Sequence, residues 1–185
     1  MELGRDDRRT GLAVTDDLTK ATLTVAWVII LNKPFYPLYV WYLVDAGAAV
    51  ASLATLLSMP FFLLIPLLAK KSNLAARVAL PLVGTLDTLF ETAIFGDRSG
   101  TEFFFAACIM LATISFRADE KRWQYVTAIL VFIAFFCSRT FLGAGLQSWS
   151  ADDLATLVNL NAFSAASLMT FIALRYAGSS RRTKT

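Results

Sequence analysis

The chain has 185 residues, 57% hydrophobic and 17% charged, with a formal net charge of +3 and no histidine. Soluble domains carry roughly 45–50% apolar and about 25% charged residues, so this composition, with a mean hydropathy of +0.60, excludes an ordinary soluble domain. The lack of histidine removes the usual ligand of haem and of most zinc sites, together with the commonest general base.

The segment from Met1 to Val14 is polar and mixed in charge, with Arg5, Asp6, Asp7, Arg8 and Arg9, and is expected to be a loose tail. Thr15-Asp16-Asp17 reads as a helix N-cap with acids in the first turn. It opens a first helix over Asp16 to Val44, interrupted by Asn32-Lys33-Pro34. Residues 46–69 contain no charge in 24 positions, enough to cross a bilayer, with Pro60 and Pro66 kinking the second half. A third helix follows the Ser72-Asn73 cap and runs to Phe95, ending at the turn Gly96-Asp97-Arg98-Ser99-Gly100. The fourth, Thr101 to Phe116, is the shortest and needs Glu102 near an interface. The fifth covers Arg122 to Leu142. Ser150-Ala151-Asp152-Asp153 resembles a capping box and opens the sixth, which includes the 21 uncharged residues 154–174 and ends near Tyr176. Residues 178–185 form a basic tail with Arg181, Arg182 and Lys184.

The fold class is therefore all-α, a polytopic bundle of six transmembrane helices over residues 15–177. Six spans place both termini on one side. That side holds Arg5, Arg8, Arg9, Lys20, Lys70, Lys71, Arg77, Arg117, Lys121, Arg122, Arg175, Arg181, Arg182 and Lys184, against only Lys33, Arg98 and Arg139 opposite. By the positive-inside rule both termini are cytoplasmic. Tyr36, Tyr39, Trp41, Tyr42 and Trp149 suit the outer interface and Trp123 the inner one. The style of the sequence, rich in Ala with a basic inner side, points to a bacterial inner membrane.

Ionisable groups inside spans are costly and usually face the bundle interior. Lys33, Asp87 and Glu91 stand out, and the four-residue spacing puts Asp87 and Glu91 on one face with Gly84 and Thr88. At about 1.5 Å per residue, Lys33 lies about 20 Å from Lys20, while Asp87 and Glu91 lie about 15 and 21 Å from Arg77. By the same measure Asn161 and Asn159 lie about 21 and 24 Å from Arg175, and Arg139 about 25 Å from Arg122. These residues fall in one layer of the outer half. The layer reads as a polar pocket with Lys33 paired to Glu91 or Asp87, as polar glue that fixes helix packing, or as an ion or proton path. In the pocket reading Lys33 and Arg139 meet a small anionic ligand that the acids and amides orient. Freed carbonyls around Pro34 and Pro37 would line a cavity if helix 1 is broken there.

Other features are given structural roles. Phe103-Phe104-Phe105 reads as lipid-facing or core bulk. Cys108 and Cys137 behave as small hydrophobes and form no CxxC pair. Gly47 with Ala51, and Ala162 with Ala166, are small-residue pairs that would let helices approach in a homodimer. Arg117 to Arg122 reads as a solvated cytoplasmic turn able to meet a partner or anionic lipid. No HExxH, GxSxG, P-loop or paired acidic metal motif occurs, and basic residues do not interleave with aromatics on a soluble face. Neither an enzyme, a cofactor nor nucleic-acid binding is expected.

Six short-looped helices, with Phe95-Gly96-Asp97-Arg98-Ser99-Gly100 leading into Thr101-Glu102-Phe103-Phe104-Phe105, resemble the six-helix membrane module that precedes class III adenylyl cyclase, diguanylate cyclase or histidine kinase domains in bacteria. The resemblance covers residues 16–177 and implies a receptor or membrane anchor. After Tyr176 only Ala177 to Thr185 remain, so no output domain or coiled-coil transmitter is expected in this chain, and signalling is expected to pass through a partner protein. The alternatives are a small transporter or proton-coupled permease using Asp87 and Glu91, and a structural subunit of a larger membrane complex.

Overall fold

The computed structural model describes residues 15–182, those from 179 onward by backbone alone. The polar N-terminal tail, the side chains of Arg181 and Arg182, and Lys184 lie outside the described residues. Every regular element among the described residues is helical. The chain forms α1 (Asp17–Asn32), α2 (Tyr36–Leu43), α3 (Ala46–Ser52), α4 (Met59–Ala69), α5 (Asn73–Phe95), α6 (Phe104–Ile114), α7 (Lys121–Phe141) and α8 (Ala151–Arg182). Among the described residues, five stretches are long and apolar enough to cross a membrane: Asp17–Leu43, Ala46–Ala69, Asn73–Phe95, Ala118–Phe141 and Ala151–Gly178. The apolar stretch Thr101–Ile114 is shorter.

Local chemistry sets these boundaries. Asp16 accepts a hydrogen bond from the Thr19 amide at 2.7 Å, Asp45 from Ala48 at 2.8 Å and Ser72 from Ala75 at 3.2 Å, each satisfying a free amide at a helix start. Ser150 and Asp153 exchange reciprocal bonds of 3.1 Å ahead of α8. Pro34 does not break the first rod, Asp17–Leu43. The chain tightens into one 3-10 turn, Lys33–Phe35, and resumes as α2, with the Lys33 amide still donating to Ile29 and that of Tyr36 to Lys33. The broken helix expected there is thus a continuous rod with a local overwinding. In the second rod, Ala46–Ala69, the distortion precedes Pro60, as a 3-10 stretch over Leu53–Ser58. There Ser52, Thr55 and Ser58 each donate a hydroxyl to the carbonyl three residues back, at 2.7, 2.8 and 3.0 Å. These hydroxyls need no outside partner, which suits an apolar surrounding.

Hydrogen bonds between elements fix the order of passes. Arg77 at the start of α5 binds Asp16 beside α1 and Glu120 beside α7, so these starts share one end. Tyr176 near the end of α8 joins Thr22 on α1 and Ser115 just after α6, each at 2.9 Å, at the same end. At the opposite end Arg139 and Ser138 of α7 meet Glu102 ahead of α6, at 2.8 and 2.9 Å. Among the described residues the helices therefore run through the bundle in six passes, five of membrane-crossing length and a shorter one at α6. The central element is α5, which packs against α1, α4, α6 and α7.

The connection from α7 to α8 folds back over the end of α5. Leu146 and Gln147 donate backbone bonds to Ala93 and Ile94, and the Trp149 indole donates to Phe95 at 2.9 Å while stacking on its ring. Those carbonyls belong to the last turn of α5 and lack partners within the helix. Gly96 and Gly100 sit at φ of +87° and +80°, where a Cβ is strained. Gly145 lies so close to the α5 terminus that a Cβ there would collide with the backbone of Ile94 and Phe95.

Candidate functional site

Lys33 occupies the 3-10 turn of the first rod, and Asp87 and Glu91 lie one turn apart on α5. The overwound turn directs Lys33 inward, leaving it 7% exposed against 12% for each acid. Its ammonium donates to both Asp87 oxygens at 2.9 Å and to Glu91 Oε1 at 2.7 Å. The Phe62 ring lies 5.8 Å from the same nitrogen. An ammonium has three N–H donors, so these contacts use them all. Pairing with both acids goes beyond the single partner expected from the sequence. With all three ionised the cluster carries a net charge of −1.

The cluster lies in the wall of a cavity of about 630 Å³ between the first rod and α8. Its floor is the expected stripe Gly84, Asp87, Thr88 and Glu91 on α5, with Ala107, Cys108 and Leu111 of α6. Gly84 permits this packing, since a Cβ there would stand 3.1 Å from Cys108 Sγ. Apolar and aromatic groups make most of the walls, including Ile29, Tyr36, Phe62, Phe163, Leu168 and Phe171. The volume falls in the range of about 300–1,000 Å³ typical of small-molecule sites.

The remaining predicted site residues divide. Asn161 is 1% exposed and stands beside the cavity, accepting from Tyr36 Oη at 3.3 Å and donating to the Ser99 carbonyl at 2.8 Å. Asn159 is exposed. Two residues along a helix rotate the side chain by about 200°, so both asparagines cannot face one pocket. Arg139 is also elsewhere, on an exposed face of α7 in an ion pair with Glu102 at 2.8 Å. Lys33 and Arg139 therefore do not converge on one anion as expected. Of the aromatic run, Phe103 is exposed, Phe104 lines the cavity and Phe105 is buried in the core.

A second charged centre marks the other end, and sequence reasoning placed its key residue among ordinary flanking charges. Arg77 is 1% exposed and holds Asp16, Glu120 and, at 3.3 Å, Thr19 Oγ1. Glu120 also accepts from the Arg117 amide at 2.9 Å. The turn over Arg117 to Arg122, expected to be wholly solvated, is thus anchored to the bundle through Glu120. Burial alone would raise the Asp16 carboxyl, but the Thr19 hydrogen bonds and the Arg77 guanidinium outweigh it and hold the group below its usual 3.8. A cavity of about 850 Å³ opens next to this centre, lined by Asp16, Asp17, Arg117 and Tyr176 among others. About three to four turns of α5 separate the two centres, and it contributes Arg77 to one and Asp87 and Glu91 to the other.

No protein-family model and no curated protein matches this chain.

Proposed function

We propose that the chain is a receptor-like integral membrane protein with six spans and both termini in the cytoplasm. It binds a small ligand in the cavity beside Lys33, Asp87 and Glu91 and signals through, or assembles with, a partner protein. The six-span layout is supported by the six passes of the chain and by the basic residues, which gather where Arg77, Arg117, Lys121, Arg122 and Arg175 lie. The Arg77 end is then cytoplasmic and the Lys33 centre belongs to the outer half. A bacterial plasma membrane suits this layout. The observation that carries the ligand reading is a buried ion cluster in the wall of a cavity of about 630 Å³. Packing glue alone needs no such space. Because α5 joins both charged centres, a ligand that favours one position of α5 would bias the contacts of Arg77 with Asp16 and Glu120.

A second reading, a proton-coupled permease, draws on the acid in excess over Lys33. One experiment separates them: purified protein is screened for ligands by thermal shift and then reconstituted in proteoliposomes for flux. The receptor reading expects a ligand whose stabilisation disappears in Glu91→Gln, without transport. Flux abolished by Asp87→Asn or Glu91→Gln would favour the permease. A stable neutral cluster in Lys33→Met/Asp87→Asn/Glu91→Gln, with no ligand found, would make the centre a packing device in a structural subunit.

A further inference from the structure

The bonding within the ion cluster defines the chemistry still open to a ligand, and this inference rests on the ligand-binding reading above. Lys33 spends its three donors on Asp87 Oδ1, Asp87 Oδ2 and Glu91 Oε1. It has none left for an anion, which would have to displace a carboxylate. Glu91 Oε2, by contrast, accepts no hydrogen bond among the described residues, and Glu91 lines the cavity. The unused capacity of the site is a carboxylate oxygen, within a cluster that has one acid in excess over Lys33. A positively charged hydrogen-bond donor complements it on both counts.

The walls specify the rest of the ligand. Tyr36 and Phe104 are aromatic groups of the walls, Phe62 already lies by the Lys33 ammonium, and Ile29, Leu160 and Leu168 offer apolar surface. A calcium ion takes six to eight oxygen ligands, which walls of this kind do not supply. A proton alone needs no space of about 630 Å³. We infer that the cavity binds an amphiphilic amine, with its protonated nitrogen on Glu91 Oε2 and its apolar body between the first rod and α8.

The test uses the full chain in phosphatidylcholine nanodiscs and three probes matched in tail length: dodecylammonium, dodecanoate and dodecanol. Saturable binding is read by calorimetry and by the shift in Tm. Dodecylammonium is expected to bind at least tenfold more tightly than either other probe, and Glu91→Gln to lose at least tenfold of that affinity. Arg139→Gln, on another face, leaves it unchanged. Should Glu91→Gln fail to fold, Ser167→Trp places an indole in the cavity with the ion cluster intact, and it too must abolish binding. Tighter binding of dodecanoate, or undiminished binding by Glu91→Gln or Ser167→Trp, overturns the amine assignment while leaving a ligand cavity in place. A folded parent that binds none of the probes overturns the assignment and the cavity reading together. Discs containing phosphatidylethanolamine separate a free amine from a lipid headgroup. Unchanged affinity supports the free amine, and a tenfold or larger loss gives the site to the headgroup and overturns it.

Discussion

At the scale of single residues the ion cluster is asymmetric, and the asymmetry is measurable. Lys33→Met would leave two buried carboxylates facing each other without a counter-charge, and is expected to cost about 3–5 kcal/mol. Glu91→Gln and Asp87→Asn each leave one balanced pair with Lys33, so each should cost less than about 2 kcal/mol. Thermal unfolding of the three variants and of Lys33→Met/Glu91→Gln checks the order. Equal losses in all three singles would contradict it. Asp16 supplies a pH effect of definite sign. Its carboxyl is depressed in the folded protein, so its contribution is complete above the unfolded value near 3.8 and disappears as the pH falls through the lower folded value. Between pH 5 and pH 3 the Tm of the parent should fall further than that of Asp16→Asn. The acids and Lys33 were legible in the sequence because ionisable groups are rare in apolar runs and a four-residue spacing fixes a face. Counting depth along a helix carries no azimuth, so it groups Asn159 and Arg139 with a pocket they do not line. Arg77 was missed for a related reason: a charge near a helix end looks solvated until its neighbours are known.

At the scale of elements, caps and composition located most boundaries to within two residues, as at Asn73–Phe95 and Lys121–Phe141. The exceptions have physical causes. The last helix continues to Arg182 because nothing after Tyr176 stops it: no proline occurs there, and Gly178 is tolerated within the helix. The irregular stretch in the second rod depends on hydroxyl back-bonding by Ser52, Thr55 and Ser58, which a proline-based reading does not anticipate. The docking of residues 142–149 on α5 is a long-range event and left no periodic signal. It gives a sharp prediction. Gly145→Ala drives a methyl group into the α5 terminus and should destabilise by about 1–3 kcal/mol. Gly143→Ala, where a Cβ meets nothing within 4 Å, should be neutral to within about 0.5 kcal/mol. Chemical unfolding of the two variants side by side gives the comparison.

At the scale of the whole molecule the proposal depends on α6. With its leading 3-10 turn it runs over Thr101–Ile114, about 21 Å long, against a hydrocarbon core of about 30 Å. Neighbouring helices surround it and Glu102 is held by Ser138 and Arg139, so a short pass can carry the chain across in a locally thinned or tilted setting. If it crosses, Lys33, Asp87 and Glu91 belong to the outer half and Arg77 to the cytoplasmic side. The most direct test is labelling of single cysteines with a membrane-impermeant maleimide, in intact cells and in a Cys108→Ala/Cys137→Ala background. The account predicts that Arg98→Cys and Leu146→Cys react from outside, while Ala118→Cys reacts only after permeabilisation. Reaction of Arg98→Cys and Ala118→Cys from the same side would contradict the six-span topology and remove the outer-half assignment of the ligand site.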